Sequence, residues 1–261
     1  MTRNICIIAI VCAIVCPAGL GLTLGGAQAA TNMRVAMHPE KIQMGAGYDG
    51  AQVLLTGKVP ADARALVRVV GPAEHSRLKE KGRALGVLWM NMGSVEIADA
   101  PNVFLLYLPG KGEDILGAGG VPEVGLQGLH KQVKIVAEDA DTDALFDEFV
   151  KLKEKFGLYG TFADAIQYGP AEGDLKPFKA TLALPASLPQ GSYAVQVLVV
   201  ANGAVTASDD LVLEAHEVGL PSWISTFAFD HGTLYGIFAV VVAVIAGLLT
   251  GIIFRGEGGA H

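Results

Sequence analysis

The 261-residue chain has no cysteine beyond position 16; Cys6, Cys12 and Cys16 all lie near its start. A domain built from the rest can form no disulfide, offers no thiolate to a metal and has no cysteine nucleophile. Charge is scarce too, at 17%, with 19 Lys and Arg against 26 Asp and Glu and a net of −7. Binding nucleic acid requires clustered cations that displace counterions from phosphate, so DNA and RNA are excluded as partners. Low charge together with 33 Gly and 12 Pro also excludes a coiled coil or a charged disordered tail. No GxSxG, Walker loop, dinucleotide fingerprint, HxH or HExxH occurs. Lacking a nameable set of nucleophile, base and metal, the chain is expected to be no enzyme and to carry no cofactor.

What is abundant is apolar sequence: 51% of residues, with a mean hydropathy of +0.43. Much of the excess sits at the two ends. Arg3 precedes an uncharged run from Ile5 to Val15, Pro17 and Gly19 interrupt it, and Ala27 and Ala29 are the small residues a signal peptidase requires. Residues 1–29 therefore read as a secretory signal peptide cleaved after Ala29. Val11 and Val15 precede Cys12 and Cys16, which does not fit a lipid-attachment box.

At the other end, residues 234–254 are uncharged. As a helix they span about 31 Å, enough to cross the hydrocarbon core of a bilayer. Trp223, Phe227, Phe229, Asp230, His231 and Tyr235 mark residues 220–233 as an interfacial segment, and Arg255 opens a short tail of residues 255–261. A cleaved export signal followed by one span puts the domain outside and the tail inside. Along the span Gly236, Ala239, Ala243, Gly247 and Gly251 recur at three- and four-residue intervals. In lipid, helices associate by close backbone approach, so this stripe predicts a packing face for another helix. The alternative is a plain anchor with incidental small residues.

Without Arg3, Arg255 and Glu257, 17 basic and 25 acidic residues remain in the exported part, a net of −8. Residues 30–219 can bury one substantial core. Their period is mostly two. Phe178, Ala180, Leu182 and Leu184 alternate with polar or small residues, and Tyr193, Val195, Val197 and Val199 do so again before Asn202-Gly203, a two-residue hairpin signal. A return strand from Ala204 is expected to break at Ser208-Asp209-Asp210. Further strands are predicted at 34–44, 52–59, 66–70, 85–92 and 103–108, with Trp89 and Val87 facing the core. The pattern predicts a mainly β fold, an immunoglobulin-like β-sandwich. A helical insertion is expected over about 141–168. Its first helix has Leu145, Phe149, Leu152 and Phe156 on one face and Asp141 or Thr142 as N-cap, with Gly157 as its stop; its second starts at Thr161 with a capping box to Asp164. Residues 110–128, with seven glycines, read as a loop.

Three ordered stretches support a resemblance. They are Val87-Leu88-Trp89-Met90-Asn91 after Gly71-Pro72 and Lys81-Gly82-Arg83; Lys155-Phe156-Gly157-Leu158-Tyr159; and the run from Leu184 to Tyr193. With Phe227-Ala228-Phe229-Asp230-His231, Leu234-Tyr235-Gly236 and Phe254-Arg255, the chain resembles the proteobacterial transmembrane-protein family Alph_Pro_TM. The resemblance implies an inner-membrane protein with a periplasmic domain, of a family often encoded near a permease of the sulfite-exporter (TauE/SafE) type; it implies no catalytic residue.

Two metal-binding ideas compete with blander readings. Met33, Met37, His38, Met44, Met90 and Met92 offer thioether and imidazole ligands for Cu(I), but no closed cluster brings them together in sequence, and core filling is the simpler role. Asp139, Asp141, Asp143, Asp147 and Glu148 resemble a calcium loop less than an acidic helix start. His75, His130, His216, His231 and His261 are scattered, and no metal site is assigned. The expectation is a non-enzymatic accessory module. Its partners would be membrane lipid and either an integral membrane protein or a second copy through the helix. The alternative is a tethered module binding copper or a small solute, a cation suiting the acidic surface better than an anion.

Overall fold

Alternating and continuous apolar runs both become strands in the computed structural model, which describes residues 33–84, 88–117, 119–137 and 141–254. The order is β1 (Ala36–His38), β2 (Lys41–Met44), β3 (Ala51–Pro60), β4 (Arg64–Val70), β5 (Ala73–Ala84), β6 (Leu88–Pro101) and β7 (Phe104–Tyr107), then α1 (Glu113–Leu116), a 3-10 turn (Pro122–Val124), α2 (Leu126–Gln132), β8 (Lys134–Val136) and α3 (Thr142–Lys155). There follow β9 (Tyr159–Phe162), β10 (Ile166–Tyr168), β11 (Leu175–Leu184), β12 (Gly191–Ala201), β13 (Ala204–Glu217), α4 (Leu220–Asp230) and α5 (Gly232–Phe254). The fold is mainly β, as expected.

Two sheets enclose the main core. One has the order β1-β3-β11-β10; the other runs β2-β13-β12-β4-β7-β9, with parallel pairs at both edges. The alternation in β11 turns Phe178, Ala180, Leu182 and Leu184 inward, where they meet Val53, Leu55, Val67, Val69, Val195, Val197 and Val199. Asn202 and Gly203 both have positive φ, 52° and 73°, which is the type I′ geometry expected between β12 and β13.

The six-stranded sheet is buried on both faces along β7, most of β4 and the end of β12, and that explains the continuous apolar runs there. All of β7 is buried, as are Val197 to Val200 in succession. Its outer face is covered in two places. Leu66, Leu106, Leu108, Leu198 and Val200 pack with Ile115 and Val124. Phe104 packs with Leu129, Phe146, Phe149, Val150, Tyr159, Val95 and Ile97. The β4–β7 ribbon runs on into β5–β6, since Gly71 N–H donates to Val103 O and Asn102 N–H to Pro72 O, both at 2.9 Å.

Several expectations are corrected. Residues 110–128 are not simply a loop: α1, the 3-10 turn and the start of α2 lie there, because the apolar outer face of the sheet needs a cover and short helices supply it despite the glycines. No helix follows Thr161. That stretch forms β9, pairing parallel with β7, and β10, pairing with β11. Ser208-Asp209-Asp210 does not break β13, which pairs on past them with Leu198, Val197 and Gln196. In α3 the N-cap is Asp141, whose carboxylate accepts from the N–H groups of Asp143 and Ala144. Its buried face is Phe146, Phe149 and Val150, whereas Phe156 is 55% exposed, so the face is turned from the one expected. β5 was not anticipated, since it is rich in charge. Val87 and the side chain of Trp89 lie outside the described residues.

Candidate functional site

β13 leads directly into two helices, through Gly219 and a proline in the first turn of α4. α4 and α5 meet at His231, whose φ of −131° and ψ of 47° are not helical. Phe227 fills the elbow. Its ring stacks on Trp223 at 5.4 Å between centroids, lies 6.2 Å from His231, and meets Tyr235 and Phe238 edge-on at 6.0 and 6.1 Å. Aromatic pairs at these separations contribute beyond simple area burial, so the elbow is a packed joint. Phe229 is 87% exposed and Asp230 is exposed beside it. Such residues suit a headgroup layer, where an aromatic ring reaches apolar depth and a carboxylate stays in water.

α5 is the one helix among the described residues long and apolar enough to cross a membrane, over Gly232–Ile253. All its small-stripe residues, Gly236, Ala239, Ala243, Gly247 and Gly251, are exposed on it. A Cβ added at Gly236, Gly247 or Gly251 would meet nothing within 4 Å. At about 100° per residue the stripe covers an arc of about 120°, while Tyr235 lies about 100° and Phe238 about 160° from its centre. The aromatic joint therefore meets the first two turns of α5 at Tyr235 and Phe238, and the small-residue face lies exposed, as does the rest of the helix.

Neither a curated protein nor a solved structure matches the chain. A family described as "Putative transmembrane protein (Alph_Pro_TM)" does match, over residues 32–256. The chain belongs to the Alph_Pro_TM family. Membership and the apolar helix together mark it as a membrane protein, in agreement with the resemblance.

In this Alph_Pro_TM chain the remaining candidates are dispersed. Ala27, Ala29 and Arg255 lie outside the described residues. Met37 and Met44 are buried between the two sheets, and Met33 packs partly buried against the same core. His38 is exposed on the opposite side of β1 from Met37, so the two do not converge. The side chains of Met90 and Met92 are outside the description. Asp141 caps α3, and Asp143 faces His130 at 3.2 Å. Among the described residues no group of three or more His, Cys, Asp and Glu is placed to hold a metal.

Two polar sites of this family member escaped the sequence. On the outer face of the six-stranded sheet, Arg68 donates twice to Gln196 Oε1, at 2.9 and 2.6 Å, and once to Val124 O at 3.2 Å. Burial pulls its guanidinium below the ordinary value and the charge of Asp210 opposes that pull. The second is a cavity of about 610 Å³ lined by Arg64, Pro109, Gly110, Lys111, Gly112, Ile166, Tyr168 and Lys176. Neither could be seen in a motif, because strand pairing joins residues that are far apart in the chain.

Proposed function

We propose that this protein is a non-enzymatic, single-pass inner-membrane protein whose β domain faces the periplasm and serves as an interaction module for an integral membrane partner. The observation that carries the proposal is the elbow. Phe227 meets Tyr235 and Phe238 in the first two turns of α5, and Gly236, Ala239, Ala243, Gly247 and Gly251 form an exposed face of small residues along the helix. A helix meant only to anchor gains nothing from small residues along a face, whereas a second helix can approach closely there and gain van der Waals contact. The partner is a different membrane protein, for which a permease is the candidate the family resemblance implies, or a second copy of this chain. The β domain, joined to α5 by the packed elbow, is then held near the partner's outer surface.

The test is replacement of Gly247 and Gly251 by Leu in the full-length chain, followed by purification in mild detergent. Loss of a co-purifying membrane protein, or of the self-associated form, is the expected result. Complexes that survive the double change, or survive exchange of α5 for polyleucine, would refute the packing role. A reporter fused after His261 should lie on the cytoplasmic side.

A further inference from the structure

The β5–β6 ribbon leaves the six-stranded sheet beside the point where the chain enters the membrane. β4 and β13 both pair antiparallel with β12, so they run the same way, β13 into α4 and β4 into β5. At that end Gln190, Glu217, Phe229 and Asp230 are among the residues lining one cavity of about 220 Å³, and Asp230 stands just before Gly232, where the membrane helix begins. Gly191 follows Gln190, and a Cβ on it would lie 4.0 Å from Pro72, the residue before β5. The root of the ribbon and the start of the span are therefore neighbours at one end of the sheet. We infer that the far part of this ribbon, residues 79–84 and 88–92, rests on the lipid surface and prefers anionic phospholipid, giving the β domain a second hold on the bilayer.

The ribbon is long enough. β5 has 12 residues, which as a strand extend about 40 Å. Its near half serves the domain, since Val95, Ile97 and Ala100 pack with Leu129 of α2 and with Phe146 and Phe149 of α3, and Leu78 lies against the same cluster. Beyond Leu78 the backbone pairing continues, Lys81 with Asn91, Arg83 with Trp89 and Ala84 with Leu88. Those six further residues of β5 carry the ladder about 20 Å past the part that α3 covers.

The charge suits an anionic surface. Arg77, Lys79, Lys81 and Arg83 alternate along β5 and so belong to the face opposite Leu78. Arg77 is paired with Glu96. The register sets Lys79, Lys81 and Arg83 across from Ser94, Asn91 and Trp89, none of them acidic. Residues 78–95 hold these three cations against one carboxylate, Glu80, a net of +2 in a chain whose net is −7. A bilayer responds to that local sum, and each basic residue close to anionic headgroups favours binding.

The apolar content suits the depth. From Ala84 to Met92 the sequence has no charge and contains Leu85, Val87, Leu88, Trp89, Met90 and Met92. Cations followed by an uncharged stretch with a tryptophan make an interfacial composition, because apolar groups gain from the headgroup boundary while the cations stay at the phosphates. Proximity selects lipid over a protein. A ribbon tethered beside the span meets the bilayer at high effective concentration, whereas a soluble partner would have to be recruited. The inference rests on α5 as the span and does not depend on what packs against it.

The experiment uses the full-length chain with Trp223→Phe, which leaves Trp89 as the sole tryptophan, in nanodiscs whose lipids carry bromine near the start of the acyl chains. With phosphatidylglycerol present, Trp89 emission should be quenched by the brominated lipid and shielded from a water-soluble quencher. The lipid quenching should fall in pure phosphatidylcholine and in salt of about 1 M, where charges act over only about 3 Å. Lys81→Gln with Arg83→Gln should reduce it as well, while Lys179→Gln, an exposed change on β11, should leave it unaltered. Trp223, read in Trp89→Phe protein, should be quenched in every membrane, which separates the position of the elbow from that of the ribbon. Access of the water-soluble quencher to Trp89 without lipid quenching would overturn the inference. Shielding from both quenchers would overturn it too, by putting Trp89 against protein. So would lipid quenching that is equal with and without phosphatidylglycerol, or equal in parent and double variant.

Discussion

The Tyr107 hydroxyl, on β7 of the six-stranded sheet, donates to the carbonyl of Ala183 on β11 of the four-stranded sheet at 2.6 Å. Tyr107 is 1% exposed, and its ring stacks on Phe162 at 4.9 Å. A single side chain thus fills the core and joins the two sheets through a polar contact. Tyr107→Phe keeps the ring and removes the bond, leaving Ala183 O without that donor. Full-length protein in detergent should lose about 1–2 kcal/mol of stability, read as a lower denaturation midpoint. An unchanged midpoint would mean that water replaces the hydroxyl at no cost.

Alkaline pH should unfold the β domain through its buried tyrosines. Burial pushes the Tyr193 hydroxyl up to about 12, and the nearby Tyr48 adds to the shift. Burial raises Tyr107 and Tyr159 as well. An unfolded tyrosine ionises near 10, so above that pH the unfolded chain gives up protons that the folded chain keeps. Stability is then complete below about pH 10 and falls as pH rises toward 12, by on the order of 2 kcal/mol for Tyr193 alone. Melting temperatures at pH 9 and pH 11 check the sign; a higher value at pH 11 would contradict it.

Strands with one buried face could be read directly. Tyr193 to Val199 alternate, Asn202-Gly203 supplies the turn, and both features stand in β12 and its hairpin as expected. α5 was legible for a different reason, since an uncharged run of that length has few other uses. Where a second layer decides the outcome, local pattern misleads. Phe146 is buried because β6, α2 and β9 supply the surface opposite it, and the apolar spacing alone does not distinguish it from the exposed Phe156 at the C-cap of α3. β5 carries Arg77 and Lys79 and still forms a strand because β6 pairs with it along its length. The cations lining the cavity beside Tyr168 are 47 and 65 residues apart in sequence, so only the sheet brings Arg64, Lys111 and Lys176 together.

Gly128 permits the close approach of α2 to the 3-10 turn before it. A Cβ at this position would stand 1.7 Å from the carbonyl oxygen of Glu123, which is backbone and cannot rotate away. Gly128→Ala should therefore separate the two elements and loosen the cover over Phe104 and Leu129, costing about 1–3 kcal/mol. Gly47→Ala is the control, because a Cβ there meets nothing within 4 Å. Thermal melts of the two variants should differ clearly, and equal melts would show that the turn gives way freely.

Phe227→Ala should loosen the joint between the β domain and the membrane helix without unfolding either. Phe227 is half-buried and touches Trp223, His231, Tyr235 and Phe238 across the α4–α5 break, so its removal takes away the shared ring of the cluster. The chain has two tryptophans, and a Trp89→Phe background leaves Trp223 as the sole reporter at the joint. In nanodiscs its emission should shift and its accessibility to a water-soluble quencher should rise on Phe227→Ala, because the stacked ring no longer covers it. The midpoint of β-domain unfolding should stay within about 0.5 kcal/mol of the parent, since the ring contacts of Phe227 are with residues of α4, α5 and the break between them. If Trp223 emission and quenching do not change, the elbow is not a packed joint, and the small-residue face of α5 is then no longer held in a fixed direction relative to α4.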